Sequence, residues 1–223
     1  SDAVVAAEQT GLLDLDVRRQ ELIADRRVYQ SLLNSLAQTD SGPARQKTLR
    51  ALVSSPGVAD NPVVQAIYTQ LVTYQAALDS ISTGKWSSAA SNPDVLRLHA
   101  LVSGAESQLV DAGESQVTSV DARLDALDEL RQRNADALNL MGYSLRKTGQ
   151  TDLALQYYNA ALGLMPRHLG ANEYLGELYV ELGRMDKAKE RLAVLSAACG
   201  ACAQEQDLRK AIATGVPNTK KSW

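Results

Sequence analysis

Cys199 and Cys202, spaced Cys-Gly-Ala-Cys near the C-terminus, are the residues of this chain best suited to covalent chemistry. A Cys-Xaa-Xaa-Cys pair becomes redox-active when a helix N-terminus lowers the pKa of its first thiol. That chemistry calls for a βαβ surrounding, which the flanking sequence does not supply. A zinc site needs four ligands. These two are the only cysteines, and neither His99 nor His168, the only histidines, stands at ligand spacing to them. Three readings of the pair remain: a local disulfide pinning a turn, two inert thiols and, last, a thiol–disulfide centre. A bridge closing so short a loop stabilises less than one closing a long loop.

The other routes to catalysis lack their residues. No Gly-rich phosphate loop follows a strand, and no Gly-Xaa-Ser-Xaa-Gly elbow accompanies a histidine. The carboxylates of "DARLDALDEL" are spaced along a solvated helix face. The sequence therefore predicts no enzyme: no catalytic residue, no metal and no cofactor. Charged residues make up 22% of the 223, and the net charge is −3. That balance predicts no nucleic-acid partner, whose binders carry a basic patch or stripe. No apolar run approaches the roughly 20 residues that span a bilayer, so no membrane insertion is expected of this chain. It begins with Ser1 rather than Met, as a processed or excised piece would, and a removed signal or anchor stays open.

Helical periodicity runs the length of the chain, without period-two alternation. Leu15, Leu22, Tyr29 and Leu36 recur every seven residues, predicting a helix from about Leu12 to Ala37. Pro43 can open a short second helix carrying Leu49, Leu52 and Val53. Asn61-Pro62 and Asn92-Pro93 each supply an N-cap followed by proline in the first turn. The helix after Pro62 spaces Val64, Ile67, Leu71, Tyr74, Leu78 and Ile81 as a coiled-coil seam. The one after Pro93 does the same with Val95, Leu98, Val102, Ala105 and Leu109. With "STGKWSSAAS" between them, the pair predicts an antiparallel hairpin. Gly113 is expected to break the pattern, and an amphipathic helix resumes over Gln116–Arg133.

From Leu138 the pattern repeats. Gly142, Gly149, Asp152 and Ala154 recur thirty-four residues later as Gly176, Gly183, Asp186 and Ala188. Apolar residues recur with them: Met141 and Leu175, Leu145 and Tyr179, Tyr158 and Leu192. In period and in these positions the segment resembles the tetratricopeptide repeat, or TPR. The resemblance implies two antiparallel helices per repeat, over 135–168 and 169–202, then a solvating cap helix over 203–214. Residues 135–216 form the TPR domain, with 217–223 a tail. Residues 113–134 are read as a degenerate half-repeat or N-terminal capping helix, and 1–112 as the helical coiled-coil region. The expected fold is thus all-α: an antiparallel coiled-coil hairpin followed by a short TPR solenoid with a cap helix.

TPR arrays typically bind a peptide in the groove lined by the first helix of each repeat. Carrying those positions over gives Asn139, Tyr143, Arg146 and Lys147 in the first copy, and Glu173, Glu177, Val180 and Glu181 in the second. One copy offers bases and an aromatic, the next offers acids, which suits a partner with a basic patch facing the second repeat. The array also resembles small exported bacterial TPR proteins that carry two nearby cysteines before a cap helix, which favours a structural role for Cys199 and Cys202. Residues 18–112 resemble the periplasmic helices of exopolysaccharide chain-length determinants, without that family's flanking membrane helices. A plain helical spacer or dimerisation hairpin is the alternative.

The resemblances together imply a scaffold or adaptor that binds a protein or peptide partner in a bacterial cell-envelope or polysaccharide-export assembly. Its place would be the periplasm or envelope, with the cytoplasm as the alternative. The rival readings are a structural subunit self-associating as a homo-oligomer through the coiled coil, and a thiol–disulfide protein.

Overall fold

The Asn-Pro pairs form the helix starts that their chemistry dictates. In the computed structural model the Asn61 side-chain carbonyl accepts from the Val63 amide at 3.0 Å, and that of Asn92 accepts from the Asp94 amide at 2.9 Å. Each satisfies an amide that the first helical turn leaves without a partner. The structure describes residues 2–83 and 92–216, with side chains over 14–81 and 92–216. The loop "STGKWSSAAS" falls almost wholly outside these, and the tail 217–223 entirely so.

The described residues form α1 (Asp2–Ala37), α2 (Pro43–Val53), α3 (Pro62–Thr83), α4 (Pro93–Lys147), α5 (Thr151–Leu164), α6 (Leu169–Glu181), α7 (Met185–Cys199) and α8 (Ala203–Thr214). The chain divides into two compact units, one of Val17–Asp125 and one of the residues up to Asp16 with those from Ala126 onward.

In the Val17–Asp125 unit, the heptad residues Leu22, Tyr29 and Leu36 of α1 are buried, as are Leu49, Leu52 and Val53 of α2. On α3, Val64 and Leu71 are buried, and the remaining seam residues Ile67, Tyr74, Leu78 and Ile81 are half-buried. Arg45 ties this unit together through polar contacts. Its guanidinium donates to the Leu36 and Thr39 carbonyls at the end of α1, both at 2.7 Å, and to Glu106 on α4 at 2.7 Å. These carbonyls are among those a helix C-terminus leaves unsatisfied.

Two sequence expectations fail along α4. Gly113 does not break it; the helix runs through for 55 residues. A β-carbon at Gly113 would lie 3.1 Å from methyls of Leu33 and Leu52, so this glycine sits where side chains of α1 and α2 pack tightly onto α4. A glycine inside a helix costs only about 1 kcal/mol against alanine, too little to end a helix packed on both sides of it. The stretch Gln116–Arg133 is likewise continuous with Leu138–Lys147. With no turn between them, it is not the separate second helix of a preceding repeat. The boundaries read at 112/113 and 134/135 fall inside α4, whereas the compact units part at 125/126.

In the other unit, the glycines Gly149 and Gly183 have φ of 79° and 68°, the left-handed turn that a residue without a β-carbon enters at little cost. Asp152 and Asp186 follow in the first turns of α5 and α7, where a carboxylate complements the helix dipole. Ala154, Ala161 and Ala188 are fully buried, and Gly142 lies against the Tyr158 ring. Gly176 lies against Leu208, which sets α8 directly on α6. Met141 departs from expectation. It is 45% exposed, whereas its counterpart Leu175 is 1% exposed, so only the second copy packs a large apolar side chain before the glycine. Arg131 donates to the Leu164 carbonyl at 2.6 Å, capping α5, and pairs with Asp16.

Candidate interaction site on α4 and α6

The eight groove positions fall on two helices: Asn139, Tyr143, Arg146 and Lys147 on the last turns of α4, and Glu173, Glu177, Val180 and Glu181 on α6. Their exposure divides them. Asn139, Arg146, Glu173, Glu177 and Val180 are buried, Tyr143 is half-buried, and Lys147 and Glu181 are exposed.

Arg146 organises the group. Its guanidinium donates to Glu177 Oε2 at 2.9 Å and to Glu181 Oε1 at 2.7 Å, with a longer bond to the Tyr174 carbonyl at 3.4 Å. Its Nε shares both Glu181 oxygens at 3.2 Å. A planar, two-sided donor of this kind suits carboxylates better than lysine would. Burial works to lower the Arg146 pKa, but the bonds to Glu181 and Glu177 outweigh it and the value rises, so the cation is firmly held. The bases of the first copy and the acids of the second were expected to face a partner. Instead Arg146 pairs with Glu177 and Glu181 internally and offsets one of their two charges, which weakens the ground for a basic partner patch. The remaining Glu177 oxygen, Oε1, is buried without a hydrogen bond among the described residues.

Around this pair stand Tyr143, one of the groove positions, and two tyrosines that sequence reasoning did not assign to the site, Tyr158 and Tyr174. The Tyr143 and Tyr174 rings lie 5.2 Å apart at 45°, and Tyr158 and Tyr174 lie 6.4 Å apart at 52°, tilted arrangements that aromatic quadrupoles favour. Lys147 Nζ sits 5.3 Å from the Tyr143 ring centre, a cation–π distance. The Tyr158 hydroxyl is buried without a hydrogen bond of ordinary geometry. Burial raises its pKa, and the neighbouring Arg146 opposes the rise in part. The signal for Tyr174 was available: it lies three residues before Glu177 and so on the same side of α6.

His168 is a second residue whose role the sequence did not disclose. Its Nδ1 accepts from the Ala171 amide at 3.0 Å, capping α6, and its Nε2 lies 2.9 Å from Asp136 Oδ1 on α4. Accepting at Nδ1 fixes the proton on Nε2, which donates to the carboxylate. At the far end of the unit, Cys199 and Cys202 are joined as a disulfide between the last residue of α7 and the N-cap of α8. Among the described residues no group of three or more His, Cys, Asp or Glu is arranged to hold a metal ion, and no helix is long and apolar enough to cross a membrane.

Comparison with known proteins finds one correspondence. Residues 145–213, the end of α4 through α8, match the family model of the tetratricopeptide repeat. No curated protein and no solved structure matches the chain. The described residues are thus all-helical with a tetratricopeptide-repeat region over 145–213, and such repeats generally mediate protein–protein interaction.

Proposed function

We propose that the protein is a non-enzymatic scaffold or adaptor that engages a protein partner through the α4–α6 face, as part of a bacterial cell-envelope or polysaccharide-export assembly. The observation that carries the binding surface is the Tyr143–Tyr174–Arg146–Glu177 cluster. It fixes two consecutive first helices at one geometry and leaves Lys147 and the edge of Tyr143 accessible. Tyrosine, tryptophan and arginine are the types that carry most binding energy at interfaces, and Tyr143 is one of them. The envelope setting is supported by the Cys199–Cys202 bridge, since disulfides persist in oxidising compartments such as the bacterial periplasm.

Self-association through the α3 seam is the weaker reading. Val64 and Leu71 are 4% and 1% exposed within the chain, so a second copy would have to uncover them first.

The test is affinity capture from native envelope extract with the intact chain and with Tyr143→Ala/Lys147→Glu, both leaving the Arg146 pairs in place. A partner held by the first and lost by the second supports the surface. Identical captures, or none, remove it.

A further inference from the structure

The side chains that join α6 to α4 have counterparts one thirty-four-residue period earlier, on α4 itself. On α6 the joining residues are Tyr174, Glu177 and Glu181. The Tyr174 ring lies 5.2 Å from that of Tyr143, and the two carboxylates accept from Arg146 at 2.9 and 2.7 Å. Tyr143 meets the residue 31 later and Arg146 those 31 and 35 later, so the two helices run side by side in one direction. An aromatic residue, followed three positions on by a charge, is what α4 offers to α6.

The counterparts on α4 are Leu140, Tyr143 and Lys147, at i, i+3 and i+7 and so on one side of the helix. Tyr174 is 7% exposed, whereas Leu140 in its place is 46% exposed. Lys147 is exposed as well, with the half-buried Tyr143 between the two. Position is kept but charge is reversed. Lys147 stands where Glu181 does, and a phenol stands where Glu177 does. Lys147 Nζ lies 5.3 Å from the Tyr143 ring centre, which fixes the cation beside the aromatic face. In copy one, then, α4 repeats the side of α6 that takes a helix, open in part and opposite in sign.

We propose that the Leu140–Tyr143–Lys147 side of α4 receives a helix of the partner protein, laid parallel to α4 as α4 lies to α6. That helix carries an aromatic residue followed three positions later by a carboxylate. The aromatic residue takes the place that Tyr143 has against Tyr174, and packs on Leu140. The carboxylate takes the place that Arg146 has against Glu181, and meets Lys147. Charge here selects the partner more than it tightens it, because like charges across an interface repel. The inference rests on reading the α4–α6 face as an interaction surface and adds the partner's chemistry.

The probe is a labelled, helix-stapled peptide of residues 133–150, the segment that already lies this way against α6, carrying Arg146→Glu. Fluorescence anisotropy compares it with the same peptide keeping Arg146, on the full-length wild-type chain and on its Lys147→Glu variant. The Arg146→Glu peptide should bind wild type roughly fivefold or more tightly than its parent, and the order should reverse on the variant. Equal binding, an unchanged order, or no binding by either peptide overturns the proposal. Reversal includes a gain of binding by one probe, which misfolding of the variant cannot produce. Sedimentation of the chain alone tests the other occupant: a dimer abolished by Lys147→Glu would make it a second copy and also overturn the proposal. Reversal together with a failed envelope capture would remove the proposed adaptor role and leave the helix preference standing. A successful capture without reversal would keep the role and remove this partner.

Discussion

The Arg146 guanidinium of α4 and the Glu177 carboxylate of α6 meet at 2.9 Å with side chains 4% and 2% exposed, so two successive first helices share one buried ion pair. Such a pair repays its desolvation only with good geometry and further hydrogen bonds. Glu181 and the Tyr174 carbonyl supply them on the arginine side. On the acid side Glu177 Oε1 has none among the described residues.

Breaking the pair from one side should therefore be costly. Arg146→Ala strands the Glu177 charge and is expected to destabilise the protein by about 3–5 kcal/mol. Arg146→Met combined with Glu177→Gln removes both charges and should recover most of that loss. Urea unfolding of Arg146→Met, Glu177→Gln and their double completes the cycle, with Arg146→Ala measured beside it. A double variant as unstable as Arg146→Ala would show that the stability lies elsewhere. Charge reversal at Arg146 is also a poor probe of partner binding, because it would report unfolding.

The helix glycines should sort by what a β-carbon would meet. At Gly176 it would fall 2.5 Å from a Leu208 methyl and 3.2 Å from its Cγ, and Leu208 is fully buried, so the whole side chain must move. Gly176→Ala gains about 1 kcal/mol of helix propensity and loses about 1–3 kcal/mol to overpacking, a net destabilisation. Gly104 has no neighbour within 4 Å, so Gly104→Ala should stabilise by about 0.5–1 kcal/mol. Thermal midpoints moving in the same direction for both would contradict the packing of α8 on α6.

Glu205 makes α8 sensitive to acid. The Arg209 side chain, hydrogen-bonded to it, holds its carboxyl below the ordinary value of 4.5, helped by Ser196 and opposed by burial. A group with a depressed folded pKa contributes stability that is present above its unfolded value and lost as pH falls through the folded one. The stability difference between wild type and Glu205→Gln should therefore be constant near neutrality and shrink from about pH 4.5 downward. Urea midpoints at stepped pH measure it, and a difference that grows on acidification has the wrong sign.

His168→Ala removes the acceptor for the Ala171 amide and should cost about 1 kcal/mol, as lost N-caps do. His168→Asn can restore that cap while forgoing the Asp136 contact. Amide exchange at Ala171 should speed up in the alanine variant and be largely restored in the asparagine one.

The repeat phase was legible because glycine and aspartate do local work. Gly149 and Gly183 take positive φ whatever surrounds them, and Asn61 and Asn92 cap helices through bonds to residues two further on. What escaped depends on contacts distant in sequence. Nothing near Gly113 announces that Leu33 and Leu52 will press on it, so a packing glycine looks like a breaker. Arg146 and Glu177 were each found as groove residues, but position by position, and their pairing across 31 residues left no trace in either local pattern. The two copies also diverge at Met141 and Leu175, since a shared period does not ensure a shared neighbour.

Both boundaries between the compact units, at Asp16/Val17 and Asp125/Ala126, fall inside helices, α1 and α4. A cut at either place severs a running ladder and leaves up to four amides and four carbonyls without helical partners on its two sides. Fragments made at those boundaries would fray from their new ends. Dissection into separately folding pieces would then underestimate the stability of each, by the hydrogen bonds that the shared helices carry across the junction.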